Sequence, residues 1–267
     1  MRSALQRATL GVVAAIAITT AMDATGLSAF SALPLFPLMG LLWYLEKHSR
    51  QDIGLVGGRP LGYGLAILYP TLVLGAVGGI SAASGALDAA QIDWSGAWRK
   101  VAIVSAATVV VALITEEGFF RGWLFASLRR AGLNGSATLV VSSLAFSLWH
   151  LSAVTLSTGF DLPAAQIPVF MFNAVVLGLI WGLLRAISGS ILVSSVSHGL
   201  WNGGAYVFFG YGTTAGALGI HDTPIYGPEV GILGLGLNLL FAAALWGWTM
   251  RSSAKGSAPL AQPPVAQ

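Results

Sequence analysis

Eight apolar runs, each near the ~20 residues an α-helix needs to cross a bilayer, follow one another along the chain. They cover approximately 8–22, 29–45, 62–82, 101–120, 137–156, 166–184, 190–209 and 229–249. The pattern predicts an all-α fold, a multi-pass transmembrane helical bundle of about eight helices. The first run is short, and the fourth is expected to overrun the membrane. Arg2 and Arg7 ahead of the first run, with "AMDA" after it, mimic a signal peptide. The many apolar runs that follow favour an uncleaved first helix. Gly178 and Gly182, four residues apart in the sixth run, suit close helix packing.

The polar residues between the runs set a direction. Arg2, Arg7, Lys47, Arg50, Arg59, Arg129, Arg130, Arg185, Arg251 and Lys255 all fall on one side if both termini are cytoplasmic, as the preference of Lys and Arg for cytoplasmic loops requires. The opposite loops carry Asp23, Asp88, Asp93, Asp161, His221, Asp222 and Glu229, and only Arg99 and Lys100 break the pattern. The expected location is the plasma membrane. Residues 84–98 read as a loop with a short interfacial helix, Trp94 and Trp98 lying at headgroup level. The organisation expected is N-terminal membrane helices and an interfacial segment over 1–100, a core over 101–209, a loop and last membrane helix over 210–250, and a disordered tail over 251–267.

Composition narrows the function. Of 267 residues, 55% are hydrophobic and 9% charged, against roughly 25% charged in a soluble domain. The chain has no cysteine, which excludes disulfides, thiolate nucleophiles and cysteine metal ligands. Its +3 net charge is dispersed, without the basic tract or aromatic-basic interleaving of a nucleic-acid binder. The lipid bilayer is an expected partner and nucleic acid is not.

Against this background "TEEGFFRGW", residues 115–123, is anomalous. It brings Glu116, Glu117 and Arg121 to membrane depth, where one charge costs at least ~2.5 kcal/mol. Glu117 and Arg121 stand i,i+4, the spacing at which a glutamate pairs with a following base. Glu116 points about 100° away from that pair and is free for another use. Two of the four histidines, His150 and His198, also lie inside apolar runs. Phe146 shares a helix face with His150, and His198 shares one with Asn202. Intramembrane ionisable groups normally face a bundle interior, so these three polar faces are expected to converge on one cavity. The aromatic residues Phe119, Phe120, Trp123, Phe146, Trp149 and Trp201 are read as packing groups.

EExxxR, FxxxH and HxxxN, in this order on successive membrane helices, resemble the CPBP family of CAAX prenyl endopeptidase type and bacteriocin-processing (Abi) intramembrane proteases. The likeness covers roughly residues 100–205 and every motif position is filled: Glu116, Glu117, Arg121, Phe146, His150, His198 and Asn202. It implies an eight-helix membrane endopeptidase acting on a membrane-associated protein or peptide, with a cavity open to the cytosol. It further implies Glu116 as the base that activates water, His150 placing that water, His198 and Asn202 stabilising the oxyanion, and Glu117 with Arg121 supporting the site.

Alternatives stay open at this level. Glu116, His150 and His198 could bind Zn²⁺ and leave a position for water, although the preferred reading needs no cofactor. The same buried groups would also serve a non-catalytic scaffold, a bacteriocin immunity factor or a proton-coupled transporter. No HExxH or GxSxG is present. With the basic loops cytoplasmic, the mouth is expected beside the Arg129–Asn134 loop and Ser188.

Overall fold

The computed structural model describes residues 2–87, 92–212 and 214–254. Its helices are α1 (Arg2–Ala24), α2 (Leu35–Glu46), α3 (Arg50–Ile53), α4 (Pro60–Ala83), α5 (Trp94–Ile114), α6 (Phe125–Arg130), α7 (Gly135–Trp149), α8 (Leu151–Thr155), α9 (Ile167–Ser188), α10 (Ile191–Gly204), α11 (Thr223–Tyr226) and α12 (Ile232–Ala254). Two wider π-helical stretches, Glu117–Leu124 and Ala205–Phe209, follow α5 and α10. The only strands among the described residues form a two-residue hairpin, Gly210–Tyr211 with Thr214–Ala215. The fold is the expected all-α, multi-pass membrane bundle.

Among the described residues, seven helices are long and apolar enough to span a membrane. The expected seventh run, 190–209, is instead the 14-residue α10 continued by the second π stretch. It packs between α4, α5 and α9, so neighbouring helices shield its polar residues from lipid. The fourth run does overrun: α5, the first π stretch and α6 together extend from Trp94 to Arg130, 37 residues. The separate interfacial helix expected within 84–98 is absent from its described part. Trp94 and Trp98 lie on the first turns of α5, whose start is capped by Asp93 accepting from the Gly96 amide. Both indoles pack on Phe208. Residues 88–91, and the tail from 255 on, lie outside the described residues.

Small residues set the helix spacing. A Cβ on Gly178 would come within 2.8 Å of the Ser143 Cβ on α7, and one on Gly182 within 2.8 Å of Leu139. The Gly178/Gly182 pair therefore seats α9 on α7 as expected. Gly199 repeats the device on α10, where a Cβ would meet the Ser105 carbonyl at 2.6 Å. The core gathers round the first π stretch: Phe119, Phe120, Trp123, Trp181 and Trp201 are each at most 1% exposed.

The end bearing the arginines is tied together by polar contacts. His48, in the loop after α2, bonds through Nε2 to the Glu46 carboxylate at 2.9 Å, and Ser127 of α6 donates to the same carboxylate at 2.8 Å. Arg7 of α1 pairs with Glu46 at 3.5 Å, and Arg130 donates to the Glu46 carbonyl. Buried carboxylates persist only when paired and hydrogen-bonded, and this one links four segments.

Candidate active site

The fourth span is regular until Ile114, where Thr115 leaves the helical region (φ −114°, ψ −94°). Beyond it, Glu117–Leu124 winds as a π-helix with every residue buried. Such wide turns recur at functional sites because they reset the angular register of side chains. Here the reset falls between the two glutamates. Glu117 turns inward with no exposure, whereas the Glu116 side chain stays 17% exposed.

Glu117 meets Arg121 at 3.2 Å, the expected i,i+4 pair. The contact is ionic without hydrogen-bond alignment, since both terminal nitrogens of Arg121 lack a hydrogen-bond acceptor. Two rings take up the cation instead: the guanidinium lies 4.1 Å from the Phe146 ring centre and 5.3 Å from that of Trp181. Desolvated cation–π contacts of this kind are worth about 2 kcal/mol.

His198, 3% exposed on α10, faces both glutamates. Its Nδ1 lies 3.1 Å from Glu117 Oε1, and its Nε2 lies 3.9 Å from Glu116 Oε2. Because a carboxylate only accepts, Nδ1 carries the proton. The imidazole also stacks on the Trp181 indole, centroids 4.0 Å apart and planes within 13°. At the end of α7, His150 donates from Nδ1 to the Phe146 carbonyl at 2.9 Å. That bond leaves Nε2 of a neutral imidazole as an acceptor, 3.9 Å from Glu116 Oε2. Phe146 thus holds His150 through its backbone and Arg121 through its ring.

The sequence-derived set is therefore brought together around Glu116: Glu117, Arg121, His150 and His198 interlock. Asn202 lies one turn beyond His198, half-buried, with no side-chain hydrogen bond among the described residues. Trp181 and Glu229 escaped the sequence reading. An indole in an apolar run looks like packing, and Glu229 reads as a loop carboxylate, yet it is 8% exposed and accepts from Trp201 Nε1 at 2.8 Å. Ser188, the last residue of α9, and Ser190, which caps α10, spend their hydroxyls on the Leu184 and Val56 carbonyls.

Access differs from expectation. Towards the arginine-bearing end, Phe119, Phe120, Trp123 and Leu124 are each at most 1% exposed, and Ser188 is 3% exposed, so among the described residues packed side chains occupy the place where the mouth was expected. The half-buried groups, Glu116, His150, Asn202 and Tyr206, run the other way. On that side Phe160 of the 156–166 loop packs on Phe170, which meets the His150 ring. The π stretch causes the difference, because it packs three aromatic side chains beneath Glu116.

Glu116 Oε2, His150 Nε2 and His198 Nε2 have the lone pairs that Zn²⁺ needs. As placed, no three His, Asp or Glu among the described residues are spaced to hold a metal ion.

Comparison of the whole chain with curated proteins finds no match. Residues 98–204, which contain every motif residue from Glu116 to Asn202, match the family model described as type II CAAX prenyl endopeptidase Rce1-like. The membrane-embedded part of the chain that builds this cluster is thus similar to the type II CAAX prenyl endopeptidase Rce1-like family.

Proposed function

We propose that the chain hydrolyses a peptide bond in a membrane-associated protein or peptide, with Glu116 as the base that activates water. The observation that carries this reading is the 3.9 Å gap between Glu116 Oε2 and His150 Nε2. It is too long for a direct hydrogen bond, yet one water with two legs of ~2.8 Å closes it at roughly 90°, near the angle between a water's own hydrogens. Both groups present acceptors, so the water's oxygen lone pairs are left for attack. Glu116 takes a proton as the oxygen bonds to the scissile carbonyl carbon, then returns it to the leaving amine as the C–N bond breaks.

His198 serves the developing oxyanion. With Nδ1–H given to Glu117, its Nε2 can donate only as an imidazolium. Glu117 Oε1 lies 3.1 Å from Nδ1, and Arg121 pairs with that carboxylate at 3.2 Å. The charges of Glu116, Glu117, Arg121 and protonated His198 then sum to zero, which lets a charged cluster persist at membrane depth. Asn202, one turn on and without a partner of its own, supplies a second donor. Trp181 holds the imidazole plane against rotation.

Basic residues orient Arg129, Arg130 and Arg185 towards the cytoplasm, with both termini on that side. Substrate then reaches Glu116 from the opposite leaflet or from the far loops. The decisive comparison is of membrane proteomes from cells carrying wild type or Glu116→Gln. A polypeptide trimmed near its C-terminus or a membrane boundary only with wild type supports the reading. A cellular phenotype rescued equally by both forms, with no trimmed product, would point to a scaffold instead.

A further inference from the structure

Residues of the 156–166 and 210–231 loops line a cavity of about 330 Å³. Phe160, Pro163, Tyr211 and Ile220 contribute apolar walls, and Glu229 and His221 are its ionisable lining groups. Phe160 stacks over Tyr211 (6.2 Å, 8°) and packs on Phe170 at 5.4 Å, and Phe170 in turn meets the His150 ring at 6.0 Å. Two rings in series, Phe160 and Phe170, therefore connect the cavity with His150.

Glu229 is held for a purpose other than filling space. Its backbone carbonyl and that of Pro228 accept from Asn173, whose own oxygen accepts from Asn238, itself bonded to Tyr69. This lattice fixes the loop. The carboxylate uses Oε1 for Trp201, whereas Oε2 accepts no hydrogen bond from a described residue. No described Lys, Arg or His pairs with it. Oε2 keeps access to the cavity that Glu229 lines, and the aromatic walls around it favour a cation with an apolar stem.

We propose that this cavity is a subsite for a lysine or arginine side chain of the substrate, with Glu229 pairing the charge and Phe160 and Tyr211 covering the stem. The assignment rests on the protease reading for the origin of that side chain, but binding itself does not require turnover. Glu229 lies in the loop before α12, outside the spanning helix, and burial pushes its carboxyl up to about 7. Tyr69, Tyr206, Glu116, His198 and the cavity-lining His221 are the ionisable groups around it. A cation needs the ionised form, so binding strengthens as pH rises through that value.

The test is calorimetric titration of the Glu116→Gln protein in lipid nanodiscs with Nα-acetyl-lysine amide, and with Nα-acetyl-norleucine amide as its uncharged counterpart. At pH 8 the lysine probe should bind at least tenfold more tightly, and its affinity should fall about tenfold by pH 6 as a carboxyl near 7 protonates. Adding Glu229→Gln should bring the two probes within about twofold and remove the pH dependence. Thr214→Trp, which fills the cavity mouth without touching Glu229, should abolish binding of both and covers the case in which Glu229→Gln fails to fold. Equal affinity for the two probes, a lysine preference that survives Glu229→Gln, a pH dependence that persists there through His221, or unchanged binding in Thr214→Trp would each overturn the proposal. Peptidase activity without cation binding would reject this subsite alone. Cation binding without peptidase activity would reject the protease reading alone.

Discussion

Replacing Arg121 with methionine removes the cation and leaves the buried Glu117 carboxylate with only the His198 Nδ1–H as partner. The side chain of Glu117 is 0% exposed and that of Arg121 1%. Glu117 Oε2 already lacks a hydrogen-bond partner, so water cannot take over from Arg121 without opening the core. Breaking a buried pair by deleting one partner costs about 3–5 kcal/mol. At ~2–4 °C per kcal/mol for chains near this size, Arg121→Met should lower the melting temperature of detergent-purified protein by roughly 6–20 °C. The methionine stem retains contact with Phe146 and Trp181, so the loss is electrostatic. Adding Glu117→Leu removes the buried charge and should recover more than half of the lost stability, because an apolar pair of similar volume is often neutral to an ion pair. Neither variant should hydrolyse peptide, since His198 loses its charge balance in one and its Nδ1 acceptor in the other. The reasoning fails if Arg121→Met melts within 2 °C of wild type, or if the double variant is less stable than the single one.

Three further outcomes follow from other contacts. Trp181→Leu removes the 4.0 Å stack on His198, a contact worth ~0.5–1.5 kcal/mol, and should lower kcat about three- to tenfold with KM within twofold; unchanged kcat would deny Trp181 a positioning role. His48 is held below the usual histidine range by burial and by the nearby Arg130 charge. The unfolded chain then takes up a proton near pH 6.5 that the folded chain resists, so stability should fall as pH drops from there towards the lowered value, by ~1.4 kcal/mol per pKa unit; His48→Gln should flatten this slope in pH-dependent melts, and an equally steep slope would contradict it. For orientation, the chain has no cysteine, so Asn134→Cys and Asp222→Cys can be labelled without background: a membrane-impermeant external reagent should modify the second and spare the first, and the reverse pattern would invert the topology.

The spans and the motif residues were legible because hydrocarbon makes charge expensive. Glu116, Glu117, Arg121, His150 and His198 stood out as residues whose presence in apolar runs had to be compensated, and the structure does gather them. What sequence concealed is equally physical. A stretch such as Glu117–Leu124 carries no periodic signature of i→i+5 winding, so the aromatic packing beneath Glu116 and towards the arginine end was invisible. Trp181 gives the same signal whether it packs a lipid-facing helix or stacks on the His198 imidazole. Glu229 precedes the last apolar run, where a carboxylate looks solvated; only the folding-in of the 210–231 loop buries it. The short α10 falls below spanning length by itself and is intelligible once α4, α5 and α9 surround it.

The central claim is that Glu116 activates water through the chain's own side chains. The direct measurement is turnover of a lipid-bound, C-terminally prenylated peptide by wild type and Glu116→Gln in nanodiscs, with and without a chelator and with metal content determined on the same samples. Loss of a general base should lower kcat by ~10²–10⁴ at an unchanged melting temperature, and wild-type activity should survive chelation without stoichiometric metal. Full activity in Glu116→Gln, or wild-type activity that disappears on chelation and returns with Zn²⁺, would contradict the account.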